Sequence, residues 1–271
     1  MARPTAFADL NGVLEEFLES AQAILGNNFR AAYLQGSFAV GDADVHSDVD
    51  FIVVTRDEVD DPQFRALDAM HKRLYTLDVP WAQHLEGSYI SERRLRHVDP
   101  LRTPLPYLDN GASELVRDNH CNTAVVRWSL REHGVVLAGP DPAILVESVS
   151  AAQLRAEVLA EMPEYAAWAA APTKAGPMSR WKQPYLVLSF CRMLHTLECG
   201  RIASKLEAGE WAQTALDPEW AALIERALAD RPDPWQRVHQ SAEAQDIERT
   251  LAFLKYGLDV ASREYGLRQS E

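Results

Sequence analysis

Residues 50–55 read Asp-Phe-Ile-Val-Val-Thr, an apolar run rich in β-branched side chains. A strand with one wet face alternates polar and apolar residues; this one does not. Such a run belongs to a strand covered on both faces, so the chain must supply helices on either side of a sheet. Residues 5–25 (AFADLNGVLEEFLESAQAILG) carry apolar residues at helical spacing and stop at Gly26. Residues 29–36 (FRAAYLQG) predict a short strand running into a turn. Residues 61–77 predict an amphipathic helix that starts at Asp61-Pro62. Residues 81–91 (WAQHLEGSYIS) alternate and predict a third strand. The order helix, strand, strand, helix, strand implies a mixed sheet with helices on it.

After residue 100 the chain is rich in Pro and Gly to about 111. A helix is expected over 112–133, then a strand or extended segment, VVLAGPDPAILV, that turns at Gly139-Pro140. Beyond about 151 every long segment has helical period and strand signals nearly vanish. The expected fold is therefore an α/β (α+β) domain with a mixed sheet, residues 1–153, followed by an α-helical bundle domain, residues 154–271.

The 271 residues carry 40 acids against 27 Lys and Arg, a formal charge of −13. Such a surface repels phosphate backbones, so sequence-independent binding of nucleic acid is not expected. No run of about 18 apolar residues exists, so no membrane span is expected. The N-terminal MARPTAFADLNGVLEEF lacks a signal-peptide core. Three widely spaced cysteines predict free thiols in a reducing cytoplasm. A cytoplasmic monomer is the expectation.

The apolar run is entered through GSFAVGDADVHSDVD. Gly36-Ser37 precedes Asp48-Val49-Asp50 by ten residues. In extended chain, positions i and i+2 share a face, so both carboxylates converge. Two unpaired carboxylates that close repel, and one would take a proton. A divalent cation removes that conflict, and oxygen-only ligands suit Mg²⁺, which takes one or two carboxylates plus substrate phosphates. Gly36 admits a phosphate close to the backbone, while the Ser37 and Ser47 hydroxyls offer it donors. Glu86, in the expected third strand, is the candidate third carboxylate. It can bind metal or deprotonate an attacking hydroxyl.

Gly-Ser, about ten residues, Asp-x-Asp and a distant carboxylate resemble the nucleotidyltransferase superfamily that includes DNA polymerase β. The phrases LQGSFAVGDADVHSDVDFIVV, LEGSYIS and REHGVVLAGP, followed by a helical second domain, resemble the aminoglycoside (3″)(9) adenylyltransferases, which modify streptomycin and spectinomycin. The resemblance implies an ATP- and Mg²⁺-dependent transfer of AMP to a hydroxyl of a small, aminoglycoside-like acceptor, with pyrophosphate released. It implies two Mg²⁺ ions at Asp48, Asp50 and Glu86, with Glu86 as catalytic base. It implies nucleotide contacts from Gly36, Ser37, Ser47, Arg192 and Lys205, and from Tyr256, in a second domain that closes over nucleotide and acceptor. A protein acceptor, or a nucleotide-binding regulatory module without turnover, is the alternative.

The acceptor half departs from the family. The segment YLDNGASELVRDNH has no tryptophan, and Arg180 and Lys182 stand before Arg192 where acids are wanted. Cations there would repel an acceptor's ammonium groups. Asp109, Glu114 and Asp118 offer a place for a cationic acceptor, and Trp181 is a candidate wall of its cleft. His46 and His120 show no partner in the sequence. Cys191, His195 and Cys199 share helical spacing, but the two cysteines would stand about 12 Å apart. That is too far for one ion, so a core-facing stripe is expected.

Overall fold

The apolar run lies in the middle of a six-stranded sheet. The computed structural model describes residues 3–232 and 234–266, and the chain divides into two compact units, Met1–Val149 and Ser150–Glu271. The first unit runs α1 (Ala8–Leu25), β1 (Phe29–Leu34), α2 (Gly36–Val40), β2 (Val49–Thr55), α3 (Asp61–Tyr75), β3 (Leu85–Ser91), α4 (Glu92–Leu95), β4 (Leu105–Leu108), β5 (Leu115–Asp118), α5 (Ala124–His133), β6 (Val135–Ala138) and α6 (Pro142–Leu145). The strand order is β5-β4-β3-β2-β1-β6. Only β2 and β3 pair in parallel; the other pairings are antiparallel. The sheet is mixed, as the sequence predicts.

Period-2 alternation divides β2 between two cores. Phe51 and Val53 pack with Leu10, Phe17 and Leu67 of α1 and α3. Ile52 and Val54 pack on the opposite face with Ile90, Tyr107 and Leu130. All four β2 side chains are at most 1% exposed, and each contributes about 1.5–3 kcal/mol by burial. Asp50 lies two residues before Ile52, so it opens toward the second face.

The remaining differences from expectation have local causes. Gly36 and Ser37 begin a five-residue helix, α2, instead of a plain turn. The 81–91 stretch opens with a 3-10 turn, Pro80–Gln83, before β3. The expected helix over 112–133 is a strand, β5, and a shorter helix, α5. Thr123 caps α5 by accepting from the Val126 N–H, which starts the helix there. The extended segment after Gly139 closes into α6.

The second unit runs α7 (Ala151–Ala170), α8 (Lys182–Cys199), α9 (Lys205–Ala215), α10 (Ala221–Ala229), α11 (Pro234–Arg237) and α12 (Ala244–Tyr265). The unit boundary precedes the expected 153/154 position because Ser150 and Gln153 form a capping box that starts α7 early. Helix α8 is the hub, packing on α7, α9, α10 and α12. Cys191 and His195 face its core, but Cys199 is exposed. Eight residues at 3.6 per turn leave it about 80° round the helix from Cys191. Among the described residues no helix is long and apolar enough to cross a membrane.

Between α3 and the sheet, His71 is 2% exposed and its Nε2 meets the Tyr89 hydroxyl at 2.8 Å. Burial lowers its pKa from 6.5 to about 3, with the Asp68 charge opposing. The folded state therefore favours the neutral ring. That stability is present above the unfolded pKa of 6.5 and is lost as pH falls from there toward 3. Replacing His71 with Gln is expected to flatten unfolding free energy against pH in that window by up to about 1.4 kcal/mol per pH unit. Urea denaturation at a series of pH values checks it; an unchanged slope would contradict it.

Candidate active site

The mouth of β2 is fastened on both sides. The Gln35 N–H at the end of β1 donates to the Asp50 carbonyl at 2.9 Å, and the Val49 N–H donates to the His84 carbonyl at 2.8 Å. Val49 is fully buried between Asp48 and Asp50, which are both half-buried. The parallel register sets Asp50 opposite Glu86. Close approach of the two strands depends on Gly87, since a Cβ there would lie 2.1 Å from the Phe51 carbonyl oxygen.

Gly36 makes the second notch. Its φ is +57°, and a Cβ built on it would fall 1.8 Å from Asp50 Oδ2. Only glycine leaves room for the Asp50 carboxylate at that spot. Ser37 follows it, half-buried in α2. Ser47 is buried, and its hydroxyl accepts from the Asp44 N–H at 3.0 Å and donates to Asp44 Oδ1 at 3.4 Å. The hydroxyl expected to hold phosphate thus closes the 44–47 turn. The His46 N–H donates to the same Asp44 oxygen at 2.8 Å.

Glu86 has acquired partners that are remote in sequence. The Tyr107 hydroxyl donates to its Oε1 at 2.8 Å, and His120 Nε2 lies 3.3 Å from the same oxygen. Tyr107 also stands 3.0 Å from Asp109 Oδ1, and its ring centroid is 5.3 Å from that of His120. The hydrogen bond to Glu86 raises the His120 pKa above its ordinary value against the cost of burial, and the Glu86, Asp50 and Asp109 charges add to the rise. Burial, followed by the Glu86 charge, pushes the Tyr107 phenol upward. His120 thus has the partner that the sequence does not reveal.

Among the described residues no group of three or more His, Cys, Asp or Glu side chains could hold a metal ion. The expected set of Asp48, Asp50 and Glu86 is not assembled as one coordination group, because Glu86 is turned to Tyr107 and His120. The two aspartates remain an oxygen-only donor pair with a glycine notch beside it. That chemistry fits a hard divalent cation completed by water and substrate oxygens.

The second unit carries the other three expected residues. Arg192 is half-buried on α8. Lys205 opens α9 with its Nζ 4.5 Å above the Tyr185 ring. The Tyr256 hydroxyl accepts from the Asp217 N–H at 3.3 Å, and the ring packs 5.4 Å from that of Trp220. Tyr256 also lines a hollow of about 310 Å³ with Asp259, Ser262 and Arg263.

The acceptor-side expectations change most. Lys182 is 1% exposed, and its Nζ donates to the Trp168 and Ala171 carbonyls at 2.6 and 2.7 Å. It adds a charged donor to carbonyls at the C-terminal end of α7, where the Trp168 carbonyl also accepts from the Ala171 N–H at 3.0 Å. Arg180 pairs with Asp230 at 3.3 Å and donates to Gln240 at 3.1 Å. Neither is the unpaired cation expected to repel an acceptor. Trp181 stacks on Tyr185 at 5.1 Å. Of the three acids, Glu114 pairs with Lys72 at 3.1 Å, Asp118 accepts the His120 N–H at 2.8 Å and Asp109 meets Tyr107.

A parallel strand pair carrying Asp-x-Asp and a facing glutamate, with Gly-Ser at the preceding strand end, defines a nucleotidyltransferase domain. Residues 14–95 match the nucleotidyltransferase domain family, and residues 144–255 match the family of the aminoglycoside adenylyltransferase C-terminal domain. The spectinomycin 9-adenylyltransferases of Staphylococcus aureus strains Mu50 and N315 are 24% identical over 247 residues, spanning 84% of this chain and 88% of theirs. Spectinomycin adenyltransferase AAD(9) from Enterococcus faecialis, solved with ATP and spectinomycin, shares the fold at a TM-score of 0.68 and 15% identity, over 92% of this chain and 98% of that one. The chain belongs to the aminoglycoside adenylyltransferase family of nucleotidyltransferases and is an adenylyltransferase.

Gly36→Ala tests the notch. The positive φ alone costs about 1–2 kcal/mol, and the new methyl must displace the Asp50 carboxylate. A lower Tm together with nearly complete loss of AMP transfer is expected. Retained activity would show that Asp50 does not need that position.

Proposed function

We propose that the protein transfers AMP from ATP to a hydroxyl of spectinomycin or a closely similar aminocyclitol, releasing pyrophosphate. The observation that carries this reading is the register of β2 on β3, which sets Asp50 opposite Glu86. The family membership and the spectinomycin-modifying relatives support the acceptor.

In this reading Asp48 and Asp50 hold Mg²⁺, and Gly36 keeps space for the Asp50 carboxylate and for phosphate oxygens. Mg²⁺, when bound, supplies charge neutralisation on the triphosphate and on the departing pyrophosphate. Two such ions accord with the superfamily resemblance. Ser37 offers a hydroxyl to the triphosphate, and Ser47 shapes the loop beside it. Glu86 accepts the proton of the attacking acceptor hydroxyl, which raises that oxygen's nucleophilicity as it closes on the α-phosphorus. Glu86 fits this role better than metal binding, because its Oε1 already accepts from two side chains. Nucleotide contacts by Arg192, Lys205 and Tyr256 rest on the family resemblance alone.

The engagement of Lys182 and Arg180 within the second unit favours a cationic acceptor over an uncharged one, since neither presents an unpaired positive charge. The net charge of −13 acts in the same direction by attracting cations.

Mass spectrometry of reactions containing ATP, Mg²⁺ and either spectinomycin or streptomycin tests the proposal. Spectinomycin heavier by one AMP is the expected product. Asp50→Asn is expected to fold normally and to lose turnover by about 10³-fold or more, since it removes a metal ligand's charge. AMP appearing on protein instead of drug, or a fully active Asp50→Asn, would overturn it.

A further inference from the structure

The contacts around Glu86 go beyond what its role as base requires. Glu86 rises from the second residue of β3, with its side chain 13% exposed. Both of its hydrogen-bonding partners converge on one oxygen, Oε1. They come from separate parts of the unit: Tyr107 from β4 and His120 from the connection between β5 and α5. A glutamate has three rotatable bonds, and a general base works only when one oxygen stays within hydrogen-bond reach of the proton it takes. Two donors fixed on Oε1 hold the plane of the carboxylate and leave Oε2 to face the reacting hydroxyl.

We infer that Tyr107 and His120 are positioning residues for Glu86, acting together to aim its second oxygen at the acceptor. The inference rests on the assignment of Glu86 as the base. Tyr107 carries a single proton yet stands within hydrogen-bond distance of two carboxylates, at 2.8 Å from Glu86 and 3.0 Å from Asp109. One hydroxyl cannot donate to both. Whenever its proton turns to Asp109, Glu86 Oε1 depends on His120. An ionised carboxylate only accepts, so His120 must carry hydrogen on Nε2. The His120 ring packs against that of Tyr107 at 5.3 Å between centroids with a 35° tilt, which ties one partner to the other. Tyr107 is 4% exposed and packed among apolar side chains, so it is the anchored member of the pair, and His120 leans on it from the exposed rim.

Each donor therefore covers for the other. Tyr107→Phe and His120→Leu are each expected to lower kcat for AMP transfer by about tenfold, and the double variant by clearly more than about a hundredfold, within the share of catalysis a positioned base supplies. The double variant is expected to lose more than the single effects multiplied, because the two side chains act on one oxygen. KM for the acceptor and Kd for ATP are expected to stay within about twofold, since neither side chain is assigned a ligand contact. His120→Gln is expected to restore most of the activity lost in His120→Leu, because the amide nitrogen of Gln can donate near the former Nε2 position. A role in folding alone would lower Tm and would not be rescued by an amide donor.

The crystal structure of the double variant reads the inference without any acceptor. In the Tyr107→Phe/His120→Leu double variant the Glu86 carboxylate is expected to swing away from its wild-type position. An unchanged carboxylate, or a folded double variant with wild-type kcat, would overturn the positioning role. A wild-type enzyme that adenylylates neither drug would instead contradict the proposed acceptor, and the crystallographic comparison would still decide the role of Tyr107 and His120.

Discussion

The parallel pairing of β2 with β3 is the constraint on which the rest of the first unit depends. It is the sole parallel contact in the sheet, and it runs in unbroken register from Val49–Leu85 to Thr55–Ser91. A slip of one residue would send Asp50 and Glu86 to opposite faces of the sheet. The register resists slipping because Phe51 and Val53 fill one core while Ile52 and Val54 fill the other. The burial that stabilises the strand therefore also fixes which carboxylates meet at its mouth. Gly87 belongs to the same device, since its missing Cβ is what lets the strands approach beside Phe51.

Clustering acids at the mouth of a buried strand opposes folding unless each charge has somewhere to go. Two solutions operate side by side. Glu86 is matched by donors within the protein, Tyr107 and His120. Asp48 and Asp50 keep an oxygen-only face next to a glycine, which suits a cation delivered with substrate. In the proposed reading this division separates a base, positioned by its own unit, from an aspartate pair that takes up the metal. It also accounts for the raised basicity of His120, which sits among three carboxylates. In the second unit the same economy appears in Lys182, a cation buried on the last carbonyls of α7 instead of offered to solvent.

Much of this was legible in the sequence where signals are local. The runs that became β1, β2, β3, α1 and α3 announce themselves by periodicity, and the Asp-x-Asp before an apolar strand points to the site. The stretch from 100 to 123 was opaque for physical reasons. Strand β4 has four residues and contains Pro106, which weakens a strand reading. Strand β5 buries only Leu115 of its four residues, so it has no usable alternation. Thr123 was the missed helix-start signal. With β4 and β5 unseen, nothing in the sequence could bring Tyr107 and His120 to Glu86, twenty-one and thirty-four positions away. Lys182 and Arg180 were misjudged for a related reason, since charge is read from sequence while burial and pairing come only from the fold.

The central claim is that Asp48 and Asp50 take the metal while Glu86 stays with Tyr107 and His120 as the base. Anomalous diffraction from crystals soaked with Mn²⁺ and a non-hydrolysable ATP analogue tests it most directly. The account predicts an anomalous peak coordinated by the Asp48 and Asp50 carboxylates, with Glu86 Oε1 still accepting from Tyr107 and His120. A peak away from both aspartates, or one that draws Glu86 off those two partners into the coordination shell, would contradict it.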